Sequence, residues 1–537
     1  MTALRAATVA GCSVAALLAG LRWLRVAQRE HYLPGAVSRF ALRWWRQDAA
    51  SIAAVVVALA GVVLAWRWPA TALATALVVA FGPTGLGLRG RTSALAWTRR
   101  LRTLAAVWIA LDAVAVGLAV ESGVGPVVAA AVALVVPVLV DVACAITGPF
   151  ERAVANRHVS RAAGRLGRVA PTVVAITGSY GKTSTKGYVA HLVAGAKTVV
   201  ASPASFNNRA GLARAVNESL TDGSEVFVAE MGTYGAGEIA ELCSWLKPDI
   251  AVITAIGPVH LERFGTEERI VEAKSEILAA TDTTAVLNVD DPRLAALAAR
   301  SEARGQRVRR VSGRAPDVSA SGVDGPAADG PAADVSVGDD GDGLRVFVGG
   351  IEVARAAVGA RPGNVACAVA VAMELGVAID EIARRVGDLP TTPHRLEAGT
   401  GAGGFTVLDD TYNANPAGAR AALEMLGTMA APSARRVVVT PGLVELGPKQ
   451  VEENAAFARA VARVADDLVV VGRTNRRALL AGAGSVGEGG GPTAQGDSAA
   501  MRCVVVARRQ EAVAWVRDQL GAGDIVLYEN DLPDHYP

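Results

Sequence analysis

The chain has 537 residues, of which 51% are hydrophobic and only 19% are charged, so its length alone predicts more than one domain. This composition excludes a disordered chain or a nucleic-acid-binding tail and indicates that part of the sequence lies in lipid. The net charge is +2, yet residues 1–150 carry 13 Arg, no Lys and 5 acidic residues. The five cysteines lie far apart, without metal-site or disulfide-framework spacing, which favours a reducing compartment.

Five apolar stretches precede residue 150, at about 6–21, 50–66, 68–86, 103–120 and 124–148. A spanning helix needs about 20 apolar residues, a length that the last four stretches meet and the first approaches. Arginines cluster in 22–46, in 89–102 and after the last stretch, whereas the intervening connections are poor in them. By the positive-inside rule this alternation predicts five spans, with the N-terminus outside and everything after residue 150 in the cytoplasm. We therefore predict a multi-pass protein of the cytoplasmic (inner) membrane, with 151–170 as a basic linker.

From Pro171 the sequence alternates short β-branched runs with Ala-rich helical segments, a pattern typical of a parallel sheet covered by helices. The strands predicted in this first series are Thr172–Thr177, Glu225–Glu230, Ile250–Ile256 and Ala285–Val289. Residues 312–343 are rich in Gly, Ala, Asp and Pro and predict a flexible insertion, followed by a hairpin around Leu344–Val353.

A second series of strands begins near Pro390. It comprises Phe405–Asp409, Arg436–Thr440, Asp467–Val471 and Arg502–Val506, with another low-complexity loop at about 481–500. The predicted fold is therefore an N-terminal α-helical transmembrane bundle followed by two α/β domains. The central domain covers 171–389 and has a parallel sheet, and the C-terminal, Rossmann-like domain covers 390–537.

The most specific motif is Thr177-Gly-Ser-Tyr-Gly-Lys-Thr-Ser-Thr185, which follows an apolar strand and opens a helix. Such a turn points backbone N–H groups at phosphate oxygens, which makes the central domain P-loop ATPase-like. Lys182 is expected to neutralise the outer phosphates, and the Thr183 hydroxyl to hold Mg²⁺. The residues predicted to bind ATP here are Gly178, Ser179, Gly181, Lys182, Thr183 and Ser184.

Three further polar residues stand near the ends of predicted strands or on a later helix: Glu230, His260 and Lys274. Open α/β sheets bind ligands at the carboxyl ends of their strands, which makes these residues candidates for the same site. Taken singly, each has an ordinary structural interpretation as a helix cap, a loop residue or a solvated helix charge.

Taken together with other strings, they make the chain from Thr177 onward resemble the Mur ligases, most closely the MurF branch. The strings are Ile176–Lys186, Ser205–Asn208, Ala229–Glu241, Ile256–Gly265, Ala273–Glu276, Leu287–Asp291, His394–Glu397, Asp409–Pro416 and Glu445–Gly447. These nine strings occur in order over some 270 residues, and the resemblance, which runs from Thr177 to about residue 537, covers about two-thirds of the chain. The resemblance implies an ATP-dependent carboxylate–amine ligase that acts through an acyl phosphate in peptidoglycan synthesis. In MurF ligases the amine is D-alanyl-D-alanine and the acid is a muramoyl tripeptide.

The resemblance also implies roles for individual residues. Lys182, Lys274, His260 and Arg395 would be catalytic, and two Mg²⁺ ions would be held by Thr183, Glu230, His260 and Lys274 (if carbamoylated). A carbamoylated lysine presents oxygen ligands, which suit Mg²⁺, whereas a free ammonium would repel it. The nucleotide would also contact Asn288, Arg395 and Asp410. The residues that would line the substrate cleft are Asn207, Asn208, Tyr412, Asn413 and Asn415.

The chain departs from the MurF pattern at three places. A membrane region stands where MurF ligases have a soluble domain that binds the UDP-sugar. The usual His-Asn-x-x-Asn segment reads Gly363–Cys367, and the usual Gly-Asp-Met before Glu-Leu-Gly is replaced within Thr440–Val444. These departures affect the acceptor site and the shape of the cleft rather than the phosphate-binding motif.

Four functions remain open at this stage. The leading one is a membrane-anchored, MurF-like ligase. The second is a Mur-type ligase for another, lipid-linked or polyglutamate-type acid, which the missing UDP-sugar domain favours. The third is an ATP-driven transporter, and the fourth is a non-catalytic membrane scaffold. The intact Lys182, Glu230, His260, Lys274 and Arg395 argue against a scaffold, and the absence of a second nucleotide-binding signature argues against a transporter.

Overall fold

The computed structural model describes residues 3–46, 49–83, 86, 95–203, 206–280, 282–316, 333–341, 343–356, 360–390, 397–411, 415–484 and 501–530. Their contacts divide the chain into two units, one within Met1–Ala155 and the other within Asn156–Asp531.

The N-terminal unit is helical throughout its described elements. Its helices are α1 (Ala3–Arg29), α2 (Ala36–Trp45), α3 (Ala49–Leu64), α4 (Ala72–Phe81), α5 (Arg99–Glu121) and the first part of α6 (Gly125–Val169). Alanine is the most frequent residue in its core, which also contains Trp23, Trp44 and Trp108. Small residues let the helices approach closely: a Cβ added at Gly20 would overlap the ring of Trp108.

Three of these helices, α1, α5 and α6, are long and apolar enough to cross a membrane. The number rises to four if α2 and α3, which meet at a bend of 111°, are counted as one span. Helix α4 has 10 residues, or about 15 Å at 1.5 Å per residue, which is half of a hydrocarbon core of about 30 Å. By length, the described helices therefore do not reach the predicted five spans, because the stretch at 68–86 forms only a short helix. The placement in a membrane stays a prediction.

The buried acid Asp141 of α6 has a structural partner. Its carboxylate accepts hydrogen bonds from the backbone N–H groups of Val37 (3.1 Å) and Ser38 (2.8 Å) at the start of α2. These groups have no partner within their own helix, and a negative charge there complements the helix dipole. Asp141 therefore caps α2.

The second unit contains two sheets, and the first has nine strands in the order β2-β3-β1-β4-β5-β6-β7-β8-β9. The strands are β1 (Thr172–Thr177), β2 (Val199–Ala201), β3 (Val226–Glu230), β4 (Ile250–Ile253), β5 (Thr284–Asn288), β6 (Val308–Ser312), β7 (Val335–Asp339), β8 (Leu344–Val348) and β9 (Ile351–Ala356). Pairing is parallel from β2 to β7 and antiparallel from β7 to β9.

The strands predicted in the first series and the hairpin are confirmed, with ends that differ by up to three residues. The flexible insertion predicted over 312–343 is wrong for 335–339, which form β7, and its residues 317–332 lie outside the described part of the chain. Val335 and Val337 supply the core side chains of this strand, and two valines in a Gly- and Asp-rich context gave no strand signal.

The second sheet has six strands in the order β10-β11-β15-β12-β13-β14. They are β10 (Glu397–Thr400), β11 (Thr406–Asp410), β12 (Arg436–Thr440), β13 (Asp467–Val471), β14 (Arg502–Val506) and β15 (Ile525–Glu529). All pairs are parallel except the edge pair β10–β11. The two predicted α/β domains are thus confirmed, although each sheet is mixed rather than wholly parallel.

Helices cover both faces of each sheet. They are α7 (Lys182–Val193), α8 (Arg209–Ser219), α9 (Glu238–Leu246), α10 (Leu261–Phe264), α11 (Glu267–Ser275), α12 (Pro292–Ala303), α13 (Pro362–Glu374), α14 (Ile379–Val386), α15 (Pro416–Met429), α16 (Gln450–Val461), α17 (Arg476–Gly484) and α18 (Arg509–Gln519). Along β1, Val173 and Ala175 join one core with α8 and α9, while Val174 and Ile176 join another with α7 and α13. Strands buried on both faces explain the continuous apolar runs in the sequence.

The end of α6 belongs to this second unit. The predicted basic linker is helical up to Val169, and its apolar side chains Val159, Ala162 and Leu166 are buried in the core of the first sheet. Arg165 Nη1 also donates a hydrogen bond to the carbonyl of Asn217 in α8, at 3.1 Å.

The register of the first sheet brings three loops to one edge. Ile176 of β1 lies level with Glu230 at the end of β3, and Thr177 lies level with Ile253 at the end of β4. The segments after β1, β3 and β4 therefore begin side by side, at the edge where parallel α/β sheets bind ligands.

Candidate functional site

The loop between β1 and α7 has the backbone of a phosphate-binding turn. Gly178 has φ of 149° and Gly181 has φ of 81°, values that residues with side chains rarely adopt. Gly181 is also the N-cap of α7, so the N–H groups of the first helical turn have no intrahelical partners. Lys182, Thr183 and Ser184 are partly exposed in that turn. The loop is therefore suited to bind an anion such as phosphate.

Neighbouring side chains pack tightly against both glycines. A Cβ at Gly181 would overlap the amide of Asn364 in α13, and a Cβ at Gly178 would overlap the hydroxyl of Thr254, just after β4. Asn364 is buried and belongs to the segment that departs from the MurF pattern. Asn364 is the Asn that this segment shares with the usual His-Asn-x-x-Asn pattern, whereas Gly363 and Cys367 are the departures. The contact with the phosphate loop is therefore made by a residue that fits the pattern.

Ser179 ties the loop after β1 to the loop after β4. Its backbone N–H donates to the carbonyl of Ala255 at 2.7 Å. Its hydroxyl donates to the carbonyl of Gly257 at 3.1 Å and accepts from the N–H of Gly257 at 3.0 Å. Ser179 thus shapes the loop through both its groups, and a direct contact of its side chain with nucleotide stays a prediction.

The charges of two lysines influence each other at this loop. Lys182 Nζ donates to the carbonyl of Gly178 at 2.8 Å, which folds its side chain back over the loop. Lys274 of α11 is buried, and this burial, together with the positive charge of Lys182, holds the pKa of its ammonium well below the ordinary value. The environment therefore favours the neutral amine of Lys274, which is the nucleophilic form.

Glu230 lies at the centre of a buried polar cluster. Its Oε2 forms an ion pair with Lys186 Nζ at 3.0 Å, and both side chains are buried. Its Oε1 accepts a hydrogen bond from Asn207 Nδ2 at 3.3 Å. The predicted metal residue Glu230 and the predicted substrate residue Asn207 are thus in contact. No role was predicted for Lys186, although its position one helical turn after Lys182 on an otherwise apolar face was a usable signal.

His260 is held by residues from two different parts of the chain. Its Nδ1 contacts Glu445 Oε2, which lies 185 residues away in the sequence. The ring of Tyr234 meets the imidazole in a T-shaped arrangement, with centroids 4.9 Å apart. Glu445 belongs to a string used for the family resemblance, but no role was predicted for it.

Asn288 stands at the end of β5, in a position consistent with a ligand contact. Its Oδ1 accepts from the N–H of Asp290 at 3.2 Å. A Cβ at Gly363 would lie 2.8 Å from its Nδ2, so the glycine at this position permits a close approach of α13. The predicted contact of Asn288 with the nucleotide stays a prediction.

Asp410 and Glu529 form a pair of buried acids at the ends of β11 and β15, where they lie level. Burial raises the pKa of the Glu529 carboxyl well above its ordinary value, the charge of Asp410 raises it further, and Arg361 opposes the shift. The pair therefore tends to retain a proton on Glu529. No local pattern indicates this pairing, because the two acids meet only through the sheet register.

Three predicted site residues lie outside the described part of the chain: Arg395, Tyr412 and Asn413. Two other predicted site residues, Asn208 and Asn415, cap helices. Asn208 Oδ1 accepts from the N–H of Gly211 at 3.0 Å at the start of α8, and Asn415 Oδ1 accepts from the N–H of Gly418 at 2.8 Å at the start of α15. Capping accounts for both amides, and their predicted substrate contacts stay predictions.

The predicted metal residues form no ready-made centre of acids and imidazoles. Among the described residues, no three His, Cys, Asp or Glu side chains group together as metal ligands. The predicted set contains only Glu230 and His260 of these types. Glu230 Oε2 is buried and already paired with the Lys186 ammonium, so a cation bound there would compete with Lys186. The donor set fits a divalent metal best if Lys274 supplies a further carboxylate.

Two protein-family models match the chain. They are the Mur ligase middle domain, over residues 176–358, and the Mur ligase glutamate ligase domain, over residues 394–528.

Curated relatives give the same result. The UDP-N-acetylmuramoyl-tripeptide–D-alanyl-D-alanine ligase of Mycobacterium tuberculosis (strain ATCC 25618 / H37Rv) is 35% identical over 365 residues, which are 66% of this chain and 69% of the relative. The ligase of the same name from Bacillus subtilis (strain 168) is 30% identical over 282 residues, 51% of this chain and 57% of the relative.

Solved structures share the fold. MurF from Acinetobacter baumannii has a TM-score of 0.56 at 23% identity, covering 70% of this chain and 77% of that chain. The MurF ligase from Thermotoga maritima in complex with ADP has a TM-score of 0.56 at 24% identity, and the match covers 70% of this chain and 80% of that chain.

Proposed function

Because the chain belongs to the Mur ligase family, and is thus an ATP-dependent ligase of acids with amino acids in peptidoglycan synthesis, we propose that it adds D-alanyl-D-alanine to a muramoyl peptide. The observation that carries this proposal is the buried amine of Lys274, whose pKa is lowered by burial and by the charge of Lys182 at the phosphate loop. A buried lysine next to another cation is costly as a structural element, whereas it suits a ligase site that converts an amine into a carboxylate.

The proposed reaction has two steps. An oxygen of the acceptor carboxylate attacks the γ-phosphorus of ATP, and ADP leaves. The amine nitrogen of the second substrate then attacks the acyl carbon, phosphate leaves, and an amide forms. Phosphoryl transfer of this kind needs positioning and charge neutralisation more than covalent help from the protein.

The chain's own residues would supply that positioning. The N–H groups at the start of α7 and the Lys182 ammonium would bind the phosphates, with Asn288, Arg395 and Asp410 on the rest of the nucleotide. Asn207, Asn208, Tyr412, Asn413 and Asn415 would line the substrate cleft. Closure of the domain that spans 390–537 would exclude water, which otherwise hydrolyses an acyl phosphate.

Two Mg²⁺ ions are part of the proposal. Thr183, Glu230, His260 and carbamoylated Lys274 would hold them. When bound, they would neutralise charge on the transferring phosphoryl group. The shift in the pKa of Lys274 supports carbamoylation, because only a neutral amine adds to CO₂.

A second candidate acceptor is lipid-linked. The family match begins at residue 176, and the preceding sequence contains three helices that are long and apolar enough to span a bilayer. Exposed apolar side chains lie on α3, α5 and α6, including Val56, Val63, Leu118, Val138 and Ile146. Such faces suit contact with lipid. We therefore also propose a multi-pass location in the cytoplasmic membrane, with the ligase domains (171–389 and 390–537) in the cytoplasm.

The test is phosphate release from ATP and Mg²⁺ by the detergent-purified full chain with D-alanyl-D-alanine. The acceptor is either UDP-N-acetylmuramoyl-tripeptide or a lipid-linked muramoyl peptide. Turnover should be lost in Lys182→Ala and Lys274→Ala and kept in Lys197→Ala, a lysine just beyond α7. Turnover only with the lipid-linked acid would favour the second candidate, and turnover with neither would contradict the proposal.

Carbamoylation has a separate readout. Protein equilibrated with ¹³C-labelled bicarbonate should give a carbamate resonance by NMR, and Lys274→Ala should lack it. Lys197→Ala should retain the resonance. A resonance that survives in Lys274→Ala would place the carbamate on another amine.

A further inference from the structure

The contact between His260 and Glu445 joins the two ligase domains at a residue proposed to bind metal. His260 precedes α10 in the central domain, whereas Glu445 follows β12 in the C-terminal domain. Their backbones also meet, since the N–H of Glu262 donates to the carbonyl of Glu445 at 3.3 Å. A Cβ at Gly447 would lie 3.2 Å from Glu262 N, so the loop after β12 lies directly on the start of α10.

Both residues of the pair adopt backbone conformations that are unfavourable for a side chain. His260 has φ of 55° and Glu445 has φ of 64°, in the left-handed region that glycine favours. Unusual backbone conformations of this kind persist where the surroundings enforce them, and they cluster at functional sites. Two such residues in direct side-chain contact form a second observation, independent of the family resemblance.

The contact with Glu445 determines which nitrogen of the His260 imidazole is available to a metal ion. A carboxylate on Nδ1 accepts the N–H at that atom and fixes the tautomer in which Nε2 carries the lone pair. The T-shaped contact with Tyr234 restrains the plane of the ring, and the Arg263 guanidinium covers Tyr234 at 4.8 Å from its centroid. His260 is therefore oriented from two sides, with Nδ1 engaged.

We propose that Glu445 is a positioning residue for His260, supplied by the C-terminal domain, which prepares Nε2 to bind the divalent cation. This inference rests on the proposed function, because it takes His260 as a metal residue. It goes beyond that function in making metal affinity depend on the docking of the last domain. A metal site assembled from both domains would be complete only in the closed enzyme.

The same interface offers a matched control. Lys449, in the turn before α16, forms an ion pair with Glu267 of α11 at 2.7 Å. This contact also joins the two domains, but it does not involve His260. Lys449→Gln should therefore weaken docking without disturbing the imidazole.

The experiment measures Mn²⁺ binding to the full chain in the presence of ADP, by electron paramagnetic resonance of the free ion. In Glu445→Gln the side-chain volume is kept and the charge is lost, and the affinity of one Mn²⁺ site should fall by about 10- to 100-fold, the usual range for a lost partner of a metal-bound histidine. Lys449→Gln breaks only an exposed ion pair, so it should lose much less Mn²⁺ affinity than Glu445→Gln. Circular dichroism and thermal melting establish that each variant is folded.

His260→Ala separates the two possible failures. If His260→Ala weakens Mn²⁺ binding but Glu445→Gln does not, the positioning role of Glu445 is wrong and the proposed function stands. If His260→Ala binds Mn²⁺ normally, the metal assignment in the proposed function is itself wrong. Equal losses in Glu445→Gln and Lys449→Gln would make Glu445 a docking contact only, and would also overturn the inference.

Discussion

The buried ion pair between Lys186 and Glu230 allows a quantitative prediction. At 3.0 Å and an effective dielectric constant of about 20, two unit charges attract by roughly 5.5 kcal/mol. Removing one member of a buried pair usually costs about 3–5 kcal/mol, because the other charge stays buried without its partner. Lys186→Met keeps most of the side-chain volume and removes the ammonium. The hydrogen bond from Asn207 remains, so we expect a loss of about 3–4 kcal/mol.

The assay is thermal melting of the detergent-purified full chain. For a domain of 150–250 residues, 1 kcal/mol corresponds to about 2–4 °C, so Tm should fall by about 6–16 °C in Lys186→Met. The double variant Lys186→Met/Glu230→Gln removes both charges and should melt above the single variant. Arg214→Met, which breaks the exposed Arg214–Glu218 pair on α8, is the control and should leave Tm unchanged.

Two outcomes would refute this reasoning. If the double variant melts at or below Lys186→Met, the two charges do not stabilise each other. If Lys186→Met melts like the wild type, the pair is not buried in solution. Mg²⁺ with ADP should stabilise Lys186→Met more than the wild type, because the freed carboxylate of Glu230 would then bind the cation without competition.

Three more predictions follow from single residues. The Tm of Glu529→Gln relative to that of the wild type should rise as pH rises from 5 to 8. The reason is that a carboxyl with a raised pKa contributes stability at low pH that is lost as pH rises. Glu424 is exposed on α15, and Glu424→Gln should show no such trend. Gly181→Ala should weaken ATP binding, measured by equilibrium dialysis, at least about tenfold. The φ of Gly181 is positive, and a Cβ there would overlap a neighbour. Gly187→Ala, within α7, should leave ATP binding unchanged. Asn415→Ala should cost about 1 kcal/mol in denaturant unfolding through the lost cap of α15, and an unchanged midpoint would contradict that role.

The sequence predicted the strands best where a β-branched run stands between polar turns. Strands β1, β12, β13 and β14 match their predictions residue for residue, because each run is five or six residues long and is bounded on both sides. Strand β2 has only three residues, and β7 lies in a Gly- and Asp-rich segment. Short strands such as these are stabilised by their neighbours in the sheet, which a local pattern does not report.

The candidate site also contains features that the sequence predicted and features that it did not. The phosphate loop was predictable because its glycines, lysine and helix start are contiguous in the sequence. The partners of Glu230 and His260 were not, because Lys186 and Glu445 act through contacts formed only in the folded chain. The pairing of Asp410 with Glu529 likewise depends on the order of strands in the second sheet. Membrane crossing was read from apolar length, and the short α4 shows that an apolar run can exceed the helix it forms.

The end of α6 has a practical consequence for any attempt to obtain the ligase part alone. The family match begins at residue 176, which invites truncation just before β1. Such a fragment would lack Val159, Ala162 and Leu166 and would expose the apolar surface that they cover in the first sheet's core. A soluble fragment should therefore start near Asn156, and the point at which homology ends is not the point at which the folded unit ends.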